Sequence, residues 1–384
     1  MPAAFEFATA ARIVFGAGRA QQLGGIAAEY GRRALVIVSN AQRTAPLLAL
    51  LQAAGVQAQV FEIKGEPTIA LARAGRSMAL QVQAEMVIGI GGGSVIDAAK
   101  AIAALATNPH DPMVYLEVIG EGQPLKHAPL PIIAVPTTAG TGSEVTRNAV
   151  LASSEHQVKV SMRHPLMLPR VALVDPELTY GLSAAMTAAT GMDALTQNIE
   201  PYTCISPNPM TDALSAEGIR RAAGALRRAS QPPDDAAARA DMALASLLGG
   251  LSLANARLGA VHGFAAPIGG MFPAPHGAVC AALLAPVMTV NVAAARSAGM
   301  SDLLRRYADV ACWLTGRADA SPEDGIAWVR DLTAELAIPR LSAYGVGAGD
   351  VPAIVEKAAV ASSMKGNPVA LSHEQLAAAL QAAL

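Results

Sequence analysis

Three side chains in the second half of the chain have types and spacing that suit inorganic chemistry: Asp193, His262 and His276. Asp193 lies in Gly191-Met192-Asp193-Ala194-Leu195-Thr196-Gln197, a stretch of helical composition, so Asp193 and Gln197, four apart, share one face. His262 sits in Ala260-Val261-His262-Gly263-Phe264, and His276 follows fourteen residues later in Pro273-Ala274-Pro275-His276-Gly277. A carboxylate oxygen with two imidazoles is a donor set for a divalent transition metal such as Fe(II) or Zn(II). Each residue alone has a plainer use. A helical Asp caps or carries a solvated charge, and a His beside Gly often makes a loop hydrogen bond.

A second group lies earlier. Gly89-Ile90-Gly91-Gly92-Gly93-Ser94 separates an apolar run from a helical one, with Asp97 and Lys100 following. Glycines let the backbone turn tightly and approach a ligand, and a helix start offers unpaired N–H groups to an anion such as a pyrophosphate. A tight turn needs glycine anyway, so the cluster alone decides little. Pro136-Thr137-Thr138-Ala139-Gly140-Thr141-Gly142-Ser143-Glu144 is a second strand-ending loop, rich in hydroxyls and expected to lead into a helix. Two such loops on adjacent strands form a crevice at the carboxyl edge of a sheet, where open α/β sheets bind nucleotides. The competing use of the threonines is helix capping.

The elements that must position these groups change along the chain. Residues 34–38, 59–63, 86–90 and 132–135 read as short buried strands, alternating with helices near 45–54 and 95–105. This alternation predicts a parallel sheet with helices on both faces. Ala172 to Leu178 closes that region, and from about Leu182 Ala/Leu-rich helical spacing takes over. The organisation is therefore an α/β domain over 1–180 and an all-helical domain over 181–384. Ser230 to Asp235 reads as a loop between helices, not a boundary.

Composition narrows the function classes. Of 384 residues, 52% are hydrophobic, 15% charged and only 4% aromatic, so a large interior must be built from aliphatic side chains. The sparse charge points to a homo-oligomer, a dimer or larger, covering part of the surface. A net charge of −2 gives no footprint for nucleic acid. Cys204, Cys280 and Cys312 show no CxxC spacing and read as reduced thiols of a cytoplasmic protein. The opening segment Met1 to Glu6 lacks the pattern of a signal peptide. Gly277 to Ala295 is uncharged and nearly long enough to span a bilayer, but Pro286, Asn291 and His276 favour a buried helix, with no membrane partner.

Taken together, Gly-Gly-Gly-Ser-Val-Ile-Asp-Ala-Ala-Lys at 91–100, Pro-Thr-Thr-Ala-Gly-Thr-Gly-Ser-Glu-Val-Thr at 136–146, Asp193 in Thr-Gly-Met-Asp-Ala-Leu-Thr, His262 and His276 form an ordered set. The chain resembles the iron-containing (group III) alcohol dehydrogenase family over about residues 5 to 380. That resemblance implies a dehydroquinate synthase-like architecture: an N-terminal dinucleotide-binding domain, a helical metal and substrate domain, and catalysis between them. It implies pyrophosphate contacts from Gly91, Gly92, Gly93 and Ser94. Asp97, Thr137, Thr138, Thr141 and Ser143 would line the ribose and nicotinamide, with Asn148 and Lys159 near the cofactor. Asp193, His262 and His276 would be metal ligands, with Gln197 at a fourth ligand position.

Three departures from the family pattern matter. Gln197 stands where a histidine ligand is usual, and an amide oxygen is a weaker donor toward Fe(II) or Zn(II), so the metal is open to loss. Ala266 replaces a histidine implicated in proton transfer. Ser39 replaces an Asp that grips the adenosine ribose; with Arg43 nearby, either NAD or NADP is admissible. The expected reaction is hydride transfer between nicotinamide and a small alcohol or aldehyde, assisted by a metal Lewis acid. Without metal, Gln197, His262 and His276 could hydrogen-bond the carbonyl oxygen directly.

Three rivals remain at this level. Maleylacetate reductases are the nearest subgroup, but no Lys or Arg lies between Arg257 and Arg296 to grip a dicarboxylate, leaving Arg147, Arg163 or Lys365, and Asp193 argues against them. An NAD-using lyase of dehydroquinate synthase type needs a dense basic site, which the low charge disfavours. A non-catalytic nucleotide sensor would account for Gln197 and Ala266.

Overall fold

The computed structural model describes residues 4–156 and 158–384; of the opening segment Met1 to Glu6, residues 1–3 lie outside the described residues. Two compact units divide the chain. One comprises Ala8–Thr138 and Gly142–Tyr180; the other is built on Gly181–Leu384 and includes residues 4–7 and Ala139–Thr141.

The first unit runs β1 (Arg12–Phe15), α1 (Leu23–Ala28), β2 (Arg33–Val38), α2 (Ala41–Ala53), β3 (Gln57–Glu62), α3 (Ile69–Gln81), β4 (Met86–Gly91), α4 (Gly93–Thr107), α5 (Pro112–Tyr115), β5 (Ile132–Pro136), β6 (Asn148–Ser153), β7 (Val158–Arg163) and β8 (Val171–Val174). Six strands form one parallel sheet in the order β1-β8-β5-β4-β2-β3. β4 is buried along its whole length, which suits its unbroken Met-Val-Ile run between two covered faces. The chain leaves β2 for β3 on one side and returns to β4 on the other. The order therefore reverses between β2 and β4, and the carboxyl ends of those strands flank the switch point where ligands bind in such sheets.

One expectation fails here. The threonine loop does not enter a helix: after a single turn of 3-10 helix at Ser143–Val145 the chain forms the antiparallel hairpin β6–β7. The reason is periodicity. Val158-Lys159-Val160-Ser161-Met162-Arg163 alternates apolar and polar side chains, the two-residue repeat of a strand with one covered face, and burial alternates along its partner Asn148–Ser153. The hairpin is fastened along β6, by Val150 N–H donating to Asp97 at 3.0 Å and Ala152 N–H donating to Pro67 O at 2.8 Å.

The second unit is helical: α6 (Ala184–Thr203), α7 (Pro209–Ala229), α8 (Ala236–Asn255), α9 (Ala260–Met271), α10 (His276–Ser297), α11 (Ser301–Thr315), α12 (Pro322–Glu335), α13 (Val351–Ala359) and α14 (His373–Ala382). Residues 230–235 are the connection between α7 and α8. The core is largely aliphatic, including Leu195, Ile199, Val261, Ile268, Val279 and Leu284, all essentially fully buried. Helix α10 is long and apolar enough to cross a membrane, yet 72% of its apolar window is buried within the fold. Its start is locked against α6 by Gly277, where a Cβ would lie 2.2 Å from Ala189 O. Only a residue without a side chain permits that approach, and it fixes where His276 stands.

Candidate metal centre and nucleotide loops

Helix α6 presents Asp193, Gln197 and Glu200 at positions i, i+4 and i+7 of one face, all at most 6% exposed. Ser183 caps the helix by accepting from Met186 N–H. Helix α9 begins at Gly259 without a side-chain cap of its own, and Glu200 supplies one from outside. Its Oε1 accepts from Val261 N–H at 2.7 Å, and its Oε2 lies 2.6 Å from Nδ1 of His262. A carboxylate only accepts, so Nδ1 carries the proton and the lone pair of His262 is at Nε2.

That nitrogen faces Asp193 Oδ1 at 3.4 Å, and Nε2 of His276, from the first turn of α10, lies 3.7 Å from the same oxygen. The Nε2 lone pair of His262 aimed at a buried carboxylate oxygen is repelled by it unless a proton or a cation lies between them. Asp193 Oδ1 and Gln197 Oε1 are both buried without a hydrogen bond. The Gln197 side chain, one turn beyond Asp193 on α6, favours the charged form of that carboxylate.

The electrostatics agree. Burial pushes the Asp193 carboxyl up, but His276, His262 and Gln197 outweigh it and hold it below the usual carboxylate value. Burial pulls His262 down, and Cys280, Glu200 and Asp193 raise it well above an ordinary imidazole. His276 is likewise pulled down by burial and raised by Cys280 and Asp193, to about 9. The pocket favours positive charge. Asp193, His262, His276 and Cys280 each offer one donor atom, all within 4.8 Å of one another. These residues fit a divalent ion.

The nucleotide loops form in the other unit. Gly91 ends β4, and a Cβ there would meet Val95 Cγ2 at 2.5 Å. Gly92 caps α4 in extended conformation with no side-chain cap, leaving the first-turn N–H groups of Gly93 and Ser94 available to an anion. The two loops touch, since Thr137 N–H donates to Gly91 O at 2.9 Å and Thr138 Oγ1 lies 3.3 Å from the Cβ direction of Gly92. Ser39 follows β2 and is exposed, at the other flank of the switch point. These features fit a dinucleotide.

Other residues expected at the cofactor have duties inside the protein. Asp97 accepts from Ser143 Oγ and from Val150 N–H and pairs with Lys100 at 3.1 Å, so it braces the threonine loop. Fully buried Lys100 donates to Ser143 O and Thr146 Oγ1, both at 3.0 Å. Lys159 pairs with Glu66 at 3.0 Å. Asn148 opens β6 and is half-buried. Thr141 belongs with the helical unit, where neighbouring Gly140 packs against Thr190 of α6. Arg43 donates to Tyr180 O at 2.7 Å. Ala266 lies one turn beyond His262 on α9 and offers a methyl group only.

Sequence reasoning missed two residues. Glu200 lies seven after Asp193 on the same helical face, and Cys280 lies four after His276; both spacings were visible as helical repeats.

Two family models cover nearly the whole chain: iron-containing alcohol dehydrogenase over residues 10–176, and the C-terminal model of the Fe-containing alcohol dehydrogenase family over residues 187–384. The chain belongs to the iron-containing alcohol dehydrogenase family. As a member of that family it is an alcohol oxidoreductase. It is 35% identical to a 1,3-propanediol dehydrogenase of Klebsiella pneumoniae over 91% of this chain and 90% of that one. A crystal structure of 1,3-propanediol oxidoreductase superposes with a TM-score of 0.92 at 33% identity, covering all of both chains. A sulfoacetaldehyde reductase from Bifidobacterium kashiwanohense, solved with NAD+, superposes with a TM-score of 0.88 at 26% identity over 99% of each chain.

Proposed function

We propose that this member interconverts a small alcohol and its aldehyde or ketone, using NAD or NADP and a divalent metal, Fe(II) or Zn(II). A bound nicotinamide would accept the carbon-bound hydrogen of the alcohol as hydride, and the hydroxyl proton would leave separately, giving carbonyl product and reduced cofactor. Residues 1–180 serve the dinucleotide, and residues 181–384 the metal and substrate.

Asp193, His262 and His276 would hold the metal. A divalent ion there supplies Lewis acidity, stabilising negative charge on the substrate oxygen. Glu200 keeps the proton of His262 on Nδ1, so Nε2 stays a donor. Gln197 favours the charged form of the Asp193 carboxylate. The Gly91–Ser94 turn receives the pyrophosphate on the start of α4, and Asp97 with Lys100 keeps the threonine loop beside it. Because position 266 is alanine, the proton leaves through water or a ribose hydroxyl. The proposal is supported too by the relatives named for alcohol and aldehyde substrates, one of them solved with NAD+.

The observation that carries this reading is the pair of imidazole nitrogens turned onto a buried carboxylate oxygen that lacks a hydrogen bond. The test is elemental analysis of purified protein, with oxidation of NADH and NADPH by short, branched and aromatic aldehydes before and after chelation. Net cofactor oxidation that chelation abolishes and metal restores is expected. Bound cofactor with no turnover on any aldehyde would favour a sensor, and turnover without net cofactor change a lyase.

A further inference from the structure

The metal reading above leaves one coordination question open. Asp193, His262 and His276 supply three donors, fewer than the four that zinc-type ions usually take from protein and solvent together. Two neighbours compete for the next place: the Oε1 of Gln197 and the Sγ of Cys280.

Three observations separate them. Gln197 Oε1 is buried without a hydrogen bond, but an amide oxygen is a neutral, weak donor. Cys280, by contrast, is fully buried on the same face of α10 as His276, one turn on, with Sγ 3.8 Å from Nε2 of His276 and 4.0 Å from Nε2 of His262. Bonds of about 2.0–2.1 Å to nitrogen or oxygen and about 2.3 Å to sulfur give ligand-to-ligand edges of about 3.3–3.8 Å at tetrahedral or trigonal angles. Four of the six edges measure 3.4, 3.7, 3.8 and 4.0 Å and all six lie within 4.8 Å, so the four atoms outline an expanded coordination polyhedron.

We propose that the Cys280 thiolate, and not the Gln197 amide oxygen, is the fourth protein ligand of the metal. The proposal rests on the metal reading and adds a sulfur donor to it. A thiolate shifts the preference of the site from Fe(II) toward the softer Zn(II) or Co(II).

Cobalt substitution tests it directly. Metal-free full-length protein is titrated with Co(II), and its near-ultraviolet and visible spectra are followed together with bound metal per chain. One ion per chain with a thiolate-to-cobalt charge-transfer band is the expected result. The band should vanish in Cys280→Ser, and metal affinity should fall at least tenfold, the smallest loss typical even for partners outside the ligand set. It should persist in the Cys204→Ser/Cys312→Ser double variant, which keeps the test intact should Cys280→Ser fail to fold. Visible cobalt bands at one ion per chain without charge transfer would overturn the sulfur ligand while leaving the metal reading standing. A band that survives Cys280→Ser would also overturn it. No stoichiometric metal in the wild type would overturn both.

Discussion

Replacing Glu200 by Gln tests how this protein prepares a histidine for its task. Glu200 is 6% exposed and its two oxygens accept from two donors, Val261 N–H at 2.7 Å and His262 Nδ1 at 2.6 Å. A glutamine has one acceptor and one NH2 group, so one of those bonds must become a donor facing a donor. Should the amide oxygen turn to Val261, His262 must move its proton to Nε2, which removes the lone pair aimed at Asp193. With the oxygen turned to His262, the Val261 N–H is stranded at the start of α9, at a cost of about 1–3 kcal/mol. The first outcome weakens metal binding by about 10–100-fold, equivalent to about 1.4–2.7 kcal/mol. The second lowers stability by a similar amount. Chelator-competition titration of metal affinity, with chemical denaturation of the metal-free protein, reads both. A Glu200→Gln variant within twofold of wild type in affinity, and unchanged in denaturation midpoint, would refute the reasoning.

Three further outcomes follow from the other unit. Backbone hydrogen bonding and Lys100 act against it, but burial dominates and raises Glu144 from 4.5 to about 7. The folded protein thus holds this proton more tightly than the unfolded chain. The resulting stability is complete below about 4.5 and is lost as pH rises through about 7. Glu144→Gln should therefore exceed wild type in stability at pH 8, by at most about 3 kcal/mol, with the gap closing toward pH 5; parallel denaturation curves that show no pH-dependent gap contradict this. Gly91→Ala places a methyl group 2.5 Å from Val95 Cγ2 and should raise the cofactor Kd at least tenfold in fluorescence titration while leaving metal content unchanged. Exposed Arg43 sits near Ser39, so Arg43→Ala should weaken NADPH by about two- to fivefold relative to NADH; equal effects on the two cofactors would separate Arg43 from the 2′-phosphate.

Local patterns within the chain declared a good deal of this molecule. The buried runs that became β2, β3, β4 and β5, the glycines at the head of α4 and the change to helical spacing after Leu182 are all written in neighbouring residues, because strand and helix periods are short-range properties. The hairpin β6–β7 was legible too, in the apolar-polar alternation of Val158–Arg163, but the hydroxyl-rich loop before it suggested a helix start. The duties of single side chains were decided elsewhere. Asp97 braces a loop because folding brings Ser143 and Val150 to it, and Glu200 caps a helix that begins 60 residues later. Cys280 reads in isolation as one unpaired thiol among three; only the packing of α6, α9 and α10 sets its sulfur beside two imidazoles. Spacing along a helix says which residues share a face. What that face meets depends on the long-range packing of other helices, and that is where this site acquires its chemistry.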